Sequence, residues 1–265
     1  MTATPFSVLM SSVEARGGES RVVVPEDWTQ GRTLFGGLQA AIALKAMRSL
    51  VPEAPLRSLQ VTFVGPVPGG EVKASARVIR SGKSTTHVEG RIVDGEVTLA
   101  TMVGIFGLAR PSVVNVRPQQ PAVVSAGKPF ELRYVEGGPA PTFTQHFKAR
   151  WLRGGPPFSG ATDHENVIEL GLHDTGFATE YHVVAMADFI PPIALSFLTE
   201  RVAAASLNWM LEVIAEDVSA MPLDGWRIDA HLTAAAGGYT HQSLELWGPG
   251  GVPVALGRQT MAVFA

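Results

Sequence analysis

The sequence has no cysteine among its 265 residues. This absence excludes disulfide bridges, thiolate nucleophiles and cysteine-based zinc sites together, and it gives no support to an oxidising compartment. A run of Lys or Arg that could neutralise a line of phosphates is also missing, and the formal net charge is only −3. We therefore expect no nucleic acid partner and favour a small-molecule substrate.

Long hydrophobic runs are missing as well. The longest, from Leu38 to Met47, is interrupted by Gln39 and Lys45, and a bilayer span needs about 20 apolar residues. The N-terminal sequence has no basic region followed by an apolar core, so it does not predict a secretory signal. We expect no membrane partner and a cytoplasmic protein.

The apolar residues that are present predict a buried helix followed by strands. Over Thr33–Leu50, apolar side chains lie on most sides, with Thr33 as a plausible N-cap. A helix that is apolar nearly all round must be wrapped by other structure. Four segments rich in Val, Thr, Ile and Phe follow it: Arg57–Val64, Glu71–Ile79, Thr85–Val93 and Val97–Gly107. This order predicts an α+β unit.

A proline-rich stretch then precedes a second unit of the same kind. Its helix, Thr179–Phe189, ends before Pro191-Pro192, because proline lacks the N–H group that a helix needs. The strands predicted around this helix are Phe143–Leu152, Val167–Leu172, Arg201–Ile214, Trp226–Ala235, Tyr239–Trp247 and Val252–Phe264. The sequence thus predicts two domains, 1–110 and 141–265, joined by a linker at 111–140.

Several motifs of the first half resemble the bacterial type II acyl-CoA thioesterases. In that family a Phe-Gly-Gly turn opens the central helix, as Phe35-Gly36-Gly37 does here. Arg57–Phe63 with Pro66–Gly70, and the hairpin Arg80–Thr85, are similar to the family's next strand and its Arg-Asp-Gly-x-Ser turn. The resemblance implies a tandem (double) hot-dog fold, in which two antiparallel sheets each wrap around a central helix, and an acyl-CoA substrate.

The second half is similar in the same way, and it contains the residues that the family uses for catalysis. The family's Asp late in the second helix, Thr or Ser in the next strand and Gln in the last strand fall on Asp188, Ser206 and Gln259. There are two departures. Asn208-Trp209 stands where the family often has Asp-His, and Leu38 follows the two glycines where Gln is frequent.

These three side chains suit thioester hydrolysis by water. The reaction needs a group that takes the proton of an oriented water and donors for the oxyanion. Asp188 can accept the proton, while a hydroxyl from Ser206 and an amide from Gln259 can orient the water. This mechanism needs no covalent intermediate, and we expect neither a metal nor a cofactor.

Three further residues are predicted to bind substrate. We expect backbone N–H groups at the start of the first helix, at Gly36 and Gly37, to face acyl or phosphopantetheine oxygens. Asn208 lies two residues after Ser206, so regular strand alternation predicts that both side chains lie on one face.

Two other functions compete with hydrolysis. The Asn208-Trp209 replacement suggests a non-catalytic acyl-CoA or acyl-carrier binding protein of the same fold. A hot-dog hydratase would need an Asp/His dyad, and the separation of His182 and Asp188, 188 − 182 = 6, places them on different faces of the helix.

The predicted architecture also bears on assembly. Fusing two sheet units pairs only some of their edges and faces, so we expect the halves to form one continuous sheet and two chains to form a homodimer. The alternative is a monomer whose exposed face is covered by Ala109–Pro141.

Overall fold

The computed structural model describes residues 3–124 and 128–264. Within them lie three α-helices: α1 (Phe6–Ser12), α2 (Gly36–Arg48) and α3 (Glu180–Ala187). The strands of the first half are β1 (Glu14–Arg16), β2 (Glu19–Val24), β3 (Thr29–Gln30), β4 (Thr33–Leu34), β5 (Leu56–Phe63), β6 (Gly70–Ser81), β7 (Thr85–Asp94) and β8 (Val97–Gly107). Those that follow are β9 (Phe130–Glu131), β10 (Phe147–Arg153), β11 (Glu165–Leu172), β12 (Ala203–Val213), β13 (Trp226–Ala236), β14 (Tyr239–Gly248) and β15 (Val252–Phe264). The predicted α+β architecture is confirmed.

The first predicted helix is confirmed, but it begins later than Thr33. Helix α2 starts at Gly36 with Phe35 as its N-cap, and ten of its thirteen residues are buried. Thr33 lies in β4 instead, opposite Gln30. Its hydroxyl accepts a hydrogen bond from the backbone N–H of Val67 at 3.0 Å. These contacts with residues outside the helix keep Thr33 extended, and a local N-cap rule does not include them.

Thirteen strands form a single antiparallel sheet in the order β1-β2-β6-β7-β8-β5-β12-β15-β14-β13-β11-β10-β9. The two sheets expected from the sequence are joined where β5 pairs with β12, with Gln60 opposite Met210 at the middle of the junction. The continuous sheet within one chain is therefore confirmed. Outward from this junction, the order β5-β8-β7-β6-β2-β1 corresponds to β12-β15-β14-β13-β11-β10, and β9 is an extra edge strand of the second half. Apart from β9, the two halves share one topology.

Helices α2 and α3 lie antiparallel against the inner face of this sheet. The start of α2 meets the end of α3, where a Cβ on Gly37 would lie 2.9 Å from the Cα of Ala185. The end of α2 meets the start of α3, where Arg48 pairs with Glu180. Both helices belong to one hydrophobic core that extends through the two halves.

Several short elements were not predicted. The first turn of α1 is held by the second half, because Asp174 accepts hydrogen bonds from the backbone N–H groups of Phe6 and Ser7 at 3.2 and 2.6 Å. Within the predicted linker, β9 pairs with β10 as an edge strand; residues 125–127 of the linker lie outside the described residues. Such elements depend on long-range contacts rather than on a local period. In the part of the chain that the structure describes, no helix has the length and apolar character needed to cross a membrane.

Candidate active site

Asp188 lies where α3 ends. The helix stops at Ala187, and Asp188 takes the C-cap position with φ −92° and ψ 0°. The chain then turns through Phe189 and Ile190 to Pro191-Pro192. The Asp188 side chain lies at the wall of a cavity. Protein atoms surround the carboxyl group, and the cavity leaves it partly accessible.

Two donors from different halves of the chain contact the Asp188 carboxylate. The side-chain Nε2 of Gln259 donates to Oδ1 at 2.7 Å, and the backbone N–H of Gly37 donates from the first turn of α2. This close approach requires glycine at the start of α2, because a Cβ on Gly36 would lie 2.7 Å from Oδ2. The first half thus supplies part of the environment of a carboxylate that the second half carries.

The position of Asp188 changes its acidity. Burial raises the pKa of Asp188 to about 7, although the hydrogen bonds from Gly37 and Gln259 act in the opposite direction. Burial dominates because taking a carboxylate out of water disfavours its charged form. A carboxyl group with a pKa near neutrality can accept a proton and later release it at physiological pH.

Ser206 lines the same cavity as Asp188 and Gln259, so the structure brings these three predicted residues together. No direct hydrogen bond joins the Ser206 hydroxyl to either side chain within the described residues. Gln259, on β15, is 3% exposed. All three side chains line one cavity, which a water molecule or a substrate carbonyl can enter.

Asn208 does not reach this site, so the prediction that it shares a face with Ser206 is wrong. A β-bulge interrupts β12 between the two residues: Ser206 lies opposite Met261, whereas Asn208 lies opposite Thr260. Because directly opposed residues share a face and neighbouring residues alternate, Ser206 faces inward with Met261 and Asn208 faces outward. Asn208 is accordingly exposed.

The cavity around Asp188 has a volume of about 540 Å³ and a mainly apolar lining. Its aromatic walls are Phe130, Phe143, Trp151, Phe158 and Phe189. Pro139 and Ala140 of the predicted linker also reach it, so that segment contributes to the site. Its only charged lining residues in the described parts of the chain are Asp188 and the exposed Arg201.

A larger groove of about 690 Å³ lies elsewhere, along β10, β11 and β13. Among its charged side chains, Lys148 pairs with Asp224 and Arg150 with Glu169 at the surface. Exposed pairs of this kind are ordinary surface features. The smaller cavity is the better candidate because it is apolar and holds a buried carboxylate.

His182 is not part of the site. Its Nδ1 accepts a hydrogen bond from the backbone N–H of Thr179 at 3.0 Å, which caps α3, and its Nε2 lies 3.1 Å from the Ser7 hydroxyl. Burial lowers the pKa of His182 to about 4. The imidazole therefore holds α1 and α3 together, and no Asp/His dyad forms with Asp188.

Sequence reasoning missed Gln242, which is buried on β14 and contacts Gln259. It lies on the same inward-facing side of β14 as the apolar residues Leu244 and Leu246. A buried amide on a strand was the available signal, since such a group needs partners.

The two half-sheets are joined edge to edge and wrap around two antiparallel helices. This architecture is that of the double hot-dog proteins. The Asp188 carboxylate lies where the two helices meet. The model of the acyl-CoA thioesterase N-terminal domain matches residues 24–107, and that of the C-terminal domain matches residues 118–263. The chain belongs to the acyl-CoA thioesterase family and is a thioester hydrolase. The family membership expected from the sequence is confirmed.

Solved structures show the same fold. A conserved hot-dog protein of unknown function from Alicyclobacillus acidocaldarius superposes with a TM-score of 0.84 at 21% identity, covering 97% of both chains. The tesB protein of Mycobacterium avium subs paratuberculosis gives 0.77 at 14% identity, covering 99% of this chain and 100% of that one. The acyl-CoA thioesterase II TesB2 of Mycobacterium marinum gives 0.72 at 16% identity, covering 96% of both chains. No curated protein sequence matches the chain significantly.

Proposed function

We propose that this enzyme hydrolyses acyl-CoA thioesters by direct attack of a water molecule for which Asp188 is the general base. The observation that carries this proposal is the buried carboxylate at the wall of an apolar cavity, held by Gln259 and Gly37. The water oxygen forms a bond to the thioester carbonyl carbon while Asp188 takes a water proton. The C–S bond then breaks, and the leaving thiolate recovers the proton from Asp188.

Other groups close to Asp188 or in its cavity have supporting roles in this proposal. The Ser206 hydroxyl can donate to or accept from the attacking water. Gly36 and its neighbours at the start of α2 have backbone N–H groups that can stabilise the oxyanion, since the first N–H groups of a helix lack helical partners. The hydrogen bond from Gly37 to Asp188 means that this N–H serves the base rather than the substrate.

The cavity lining supports a fatty or related acyl group and a role in fatty acid metabolism. Aromatic rings such as Phe143 and Phe189 present apolar surface next to Asp188, and burial of acyl methylenes there is favourable by about 0.8 kcal/mol each. Arg201, the other charged residue of the lining, can contact an anionic group of the thiol half of the substrate. The non-catalytic binding alternative is not favoured, because the family is one of hydrolases.

A panel of acyl-CoAs of different length and branching, assayed for release of free thiol, tests this proposal. We expect kcat/KM for the best substrate to rise between pH 6 and pH 8 with a midpoint near 7, because burial raises the pKa of Asp188 to about 7 and only the deprotonated base is active. A profile that is flat across this range, or no thiol release from any substrate, contradicts the proposal.

We also propose that two chains form a homodimer through the outer face of the central strands. Val103, Ile105 and Leu256 lie on this face, and each is half-buried within the single chain. The alternative cover is the proline-rich segment, but its Val113 and Val116 are exposed. Light scattering at micromolar concentration should give twice the chain mass of 28.1 kDa; a mass near 28 kDa contradicts the dimer.

The cytoplasmic location and the lack of nucleic acid binding stay predictions.

A further inference from the structure

Gln242 lies beside the site without reaching its cavity. It is directly opposite Gln259 in the β14–β15 ladder, so the two side chains lie on the same inner face of the sheet. Both are almost completely buried, with 1% and 3% of their surface exposed. Each buried amide therefore needs protein partners for its donors and its acceptor.

The contacts of Gln242 meet this need. Its Oε1 accepts a hydrogen bond from the backbone N–H of Ile193 at 2.9 Å. Its Nε2 donates to Oε1 of Gln259 at 3.1 Å and lies 3.4 Å from the carbonyl oxygen of Pro191. Pro191 and Ile193 belong to the loop that follows Asp188, so Gln242 connects this loop with Gln259.

These contacts determine which way both amides point. A backbone N–H can only donate, so the atom of Gln242 that faces Ile193 must be the oxygen. The nitrogen of Gln242 then faces Gln259, whose side-chain oxygen accepts its hydrogen bond. The nitrogen of Gln259 consequently faces Asp188 and donates to Oδ1. The orientation passes from a backbone donor through two side chains to the carboxylate.

We propose that Gln242 is a positioning residue that holds the Gln259 amide with its Nε2–H directed at Asp188. Without Gln242, the Gln259 amide can rotate by half a turn and present its oxygen to the carboxylate. Two facing acceptors are compatible only with a protonated Asp188. Gln242 thereby favours the charged, basic form of Asp188, and this inference rests on the proposed role of Asp188 as the general base.

The groups that face Asp188 are few. They are the start of α2 with Gly36 and Gly37, and Gln259 on β15; Ser206 on β12 lines the same cavity. None of these carries a charge. Besides Asp188, the charged lining residue in the described part of the chain is the exposed Arg201. The hydrogen-bond donors are therefore what offsets burial, and the orientation of one of them is decided by Gln242.

The test measures the titration of Asp188 directly in the full-length protein. Aspartate side-chain carboxyl carbons are labelled with 13C and followed by NMR over pH 5 to 9, and Asp188→Asn identifies the Asp188 signal. We expect Gln242→Met, which keeps the shape and removes both polar atoms, to raise the Asp188 midpoint by about one pH unit. Gln259→Met, which removes the donor itself, should raise it at least as much. The acid limb of kcat/KM should move in the same direction.

Thr240→Val is the matched control. Thr240 is also buried on β14, with 1% of its surface exposed, and it should leave the Asp188 midpoint unchanged. If Gln242→Met does not fold, Gln242→Leu takes its place with the same expected direction, because its side chain has no hydrogen to donate to Gln259.

Two results overturn the inference: an Asp188 midpoint that stays at the wild-type value in a folded Gln242 variant, or one that stays there in Gln259→Met. The NMR titration needs no substrate, so it decides the role of Gln242 even if the thiol-release assay fails. Full activity of Asp188→Asn would reject the proposed function separately.

Discussion

Replacing Asp188 by Asn should lower kcat/KM for acyl-CoA hydrolysis on the order of a thousandfold, the usual contribution of a general base. The substitution keeps the shape of the side chain and removes its ability to take a proton. It also presents an amide where the Asp188 oxygens now accept hydrogen bonds from Gln259 and Gly37. One of these donors loses its acceptor, so the site loses both its base and its order.

Release of free thiol measures this effect, and circular dichroism shows whether the variant keeps the fold. Asp217→Asn is the matched control because it removes the same charge at an exposed turn, where Asp217 accepts a hydrogen bond from Ser219. It should retain wild-type kcat/KM. Hydrolysis by Asp188→Asn at more than a tenth of the wild-type rate would reject Asp188 as the base.

Replacing Arg48 by Met should destabilise the protein by about 2 kcal/mol, between the cost of breaking an exposed ion pair and that of breaking a fully buried one, because Arg48 and Glu180 are partly buried. The Arg48 guanidinium donates to both carboxylate oxygens of Glu180, at 2.6 and 2.7 Å, across the two halves. It also donates to the Val51 carbonyl at 2.9 Å and stacks on Phe106 at 4.7 Å. The variant removes the cation that pairs with Glu180, whose side chain is only 26% exposed.

Equilibrium unfolding in urea gives the free-energy difference for this variant. Arg21→Met is the control, because Arg21 pairs with Glu14 at the surface, where the two side chains are 60% and 75% exposed. That variant should change the free energy of unfolding by less than about 0.5 kcal/mol. A loss below about 1 kcal/mol in Arg48→Met would mean that the pair contributes no more than a surface ion pair.

The two ends of the helix pair differ, although the halves share one topology. At one end, the start of α2 provides a backbone donor to Asp188 beside an apolar cavity. At the other, the start of α3 carries Glu180, which is neutralised by Arg48 at the end of α2. Because Glu180 is paired with Arg48, its carboxylate is not free to take a proton from a water molecule. From this difference we infer that each chain has one active site.

Much of the fold was predictable because its signals are local. The apolar residues of α2, the Pro191-Pro192 stop after α3 and the turn clusters between strands are visible along the chain. They correctly indicated two units of the same order. The starts of elements were less predictable, since Thr33 suits an N-cap yet pairs with Gln30 in a strand.

The sequence by itself determined which side chains we propose for this reaction: a carboxylate at the end of a helix, a hydroxyl and an amide on strands, and glycines at a helix start. Only the tertiary structure decided how these groups lie relative to one another. The bulge in β12 turns Asn208 away from Ser206, and the cross-strand pair of Gln242 and Gln259 orients a donor towards Asp188. The physical reason is that strand register, burial and the direction of an amide depend on partners far away in the chain, which no local pattern contains.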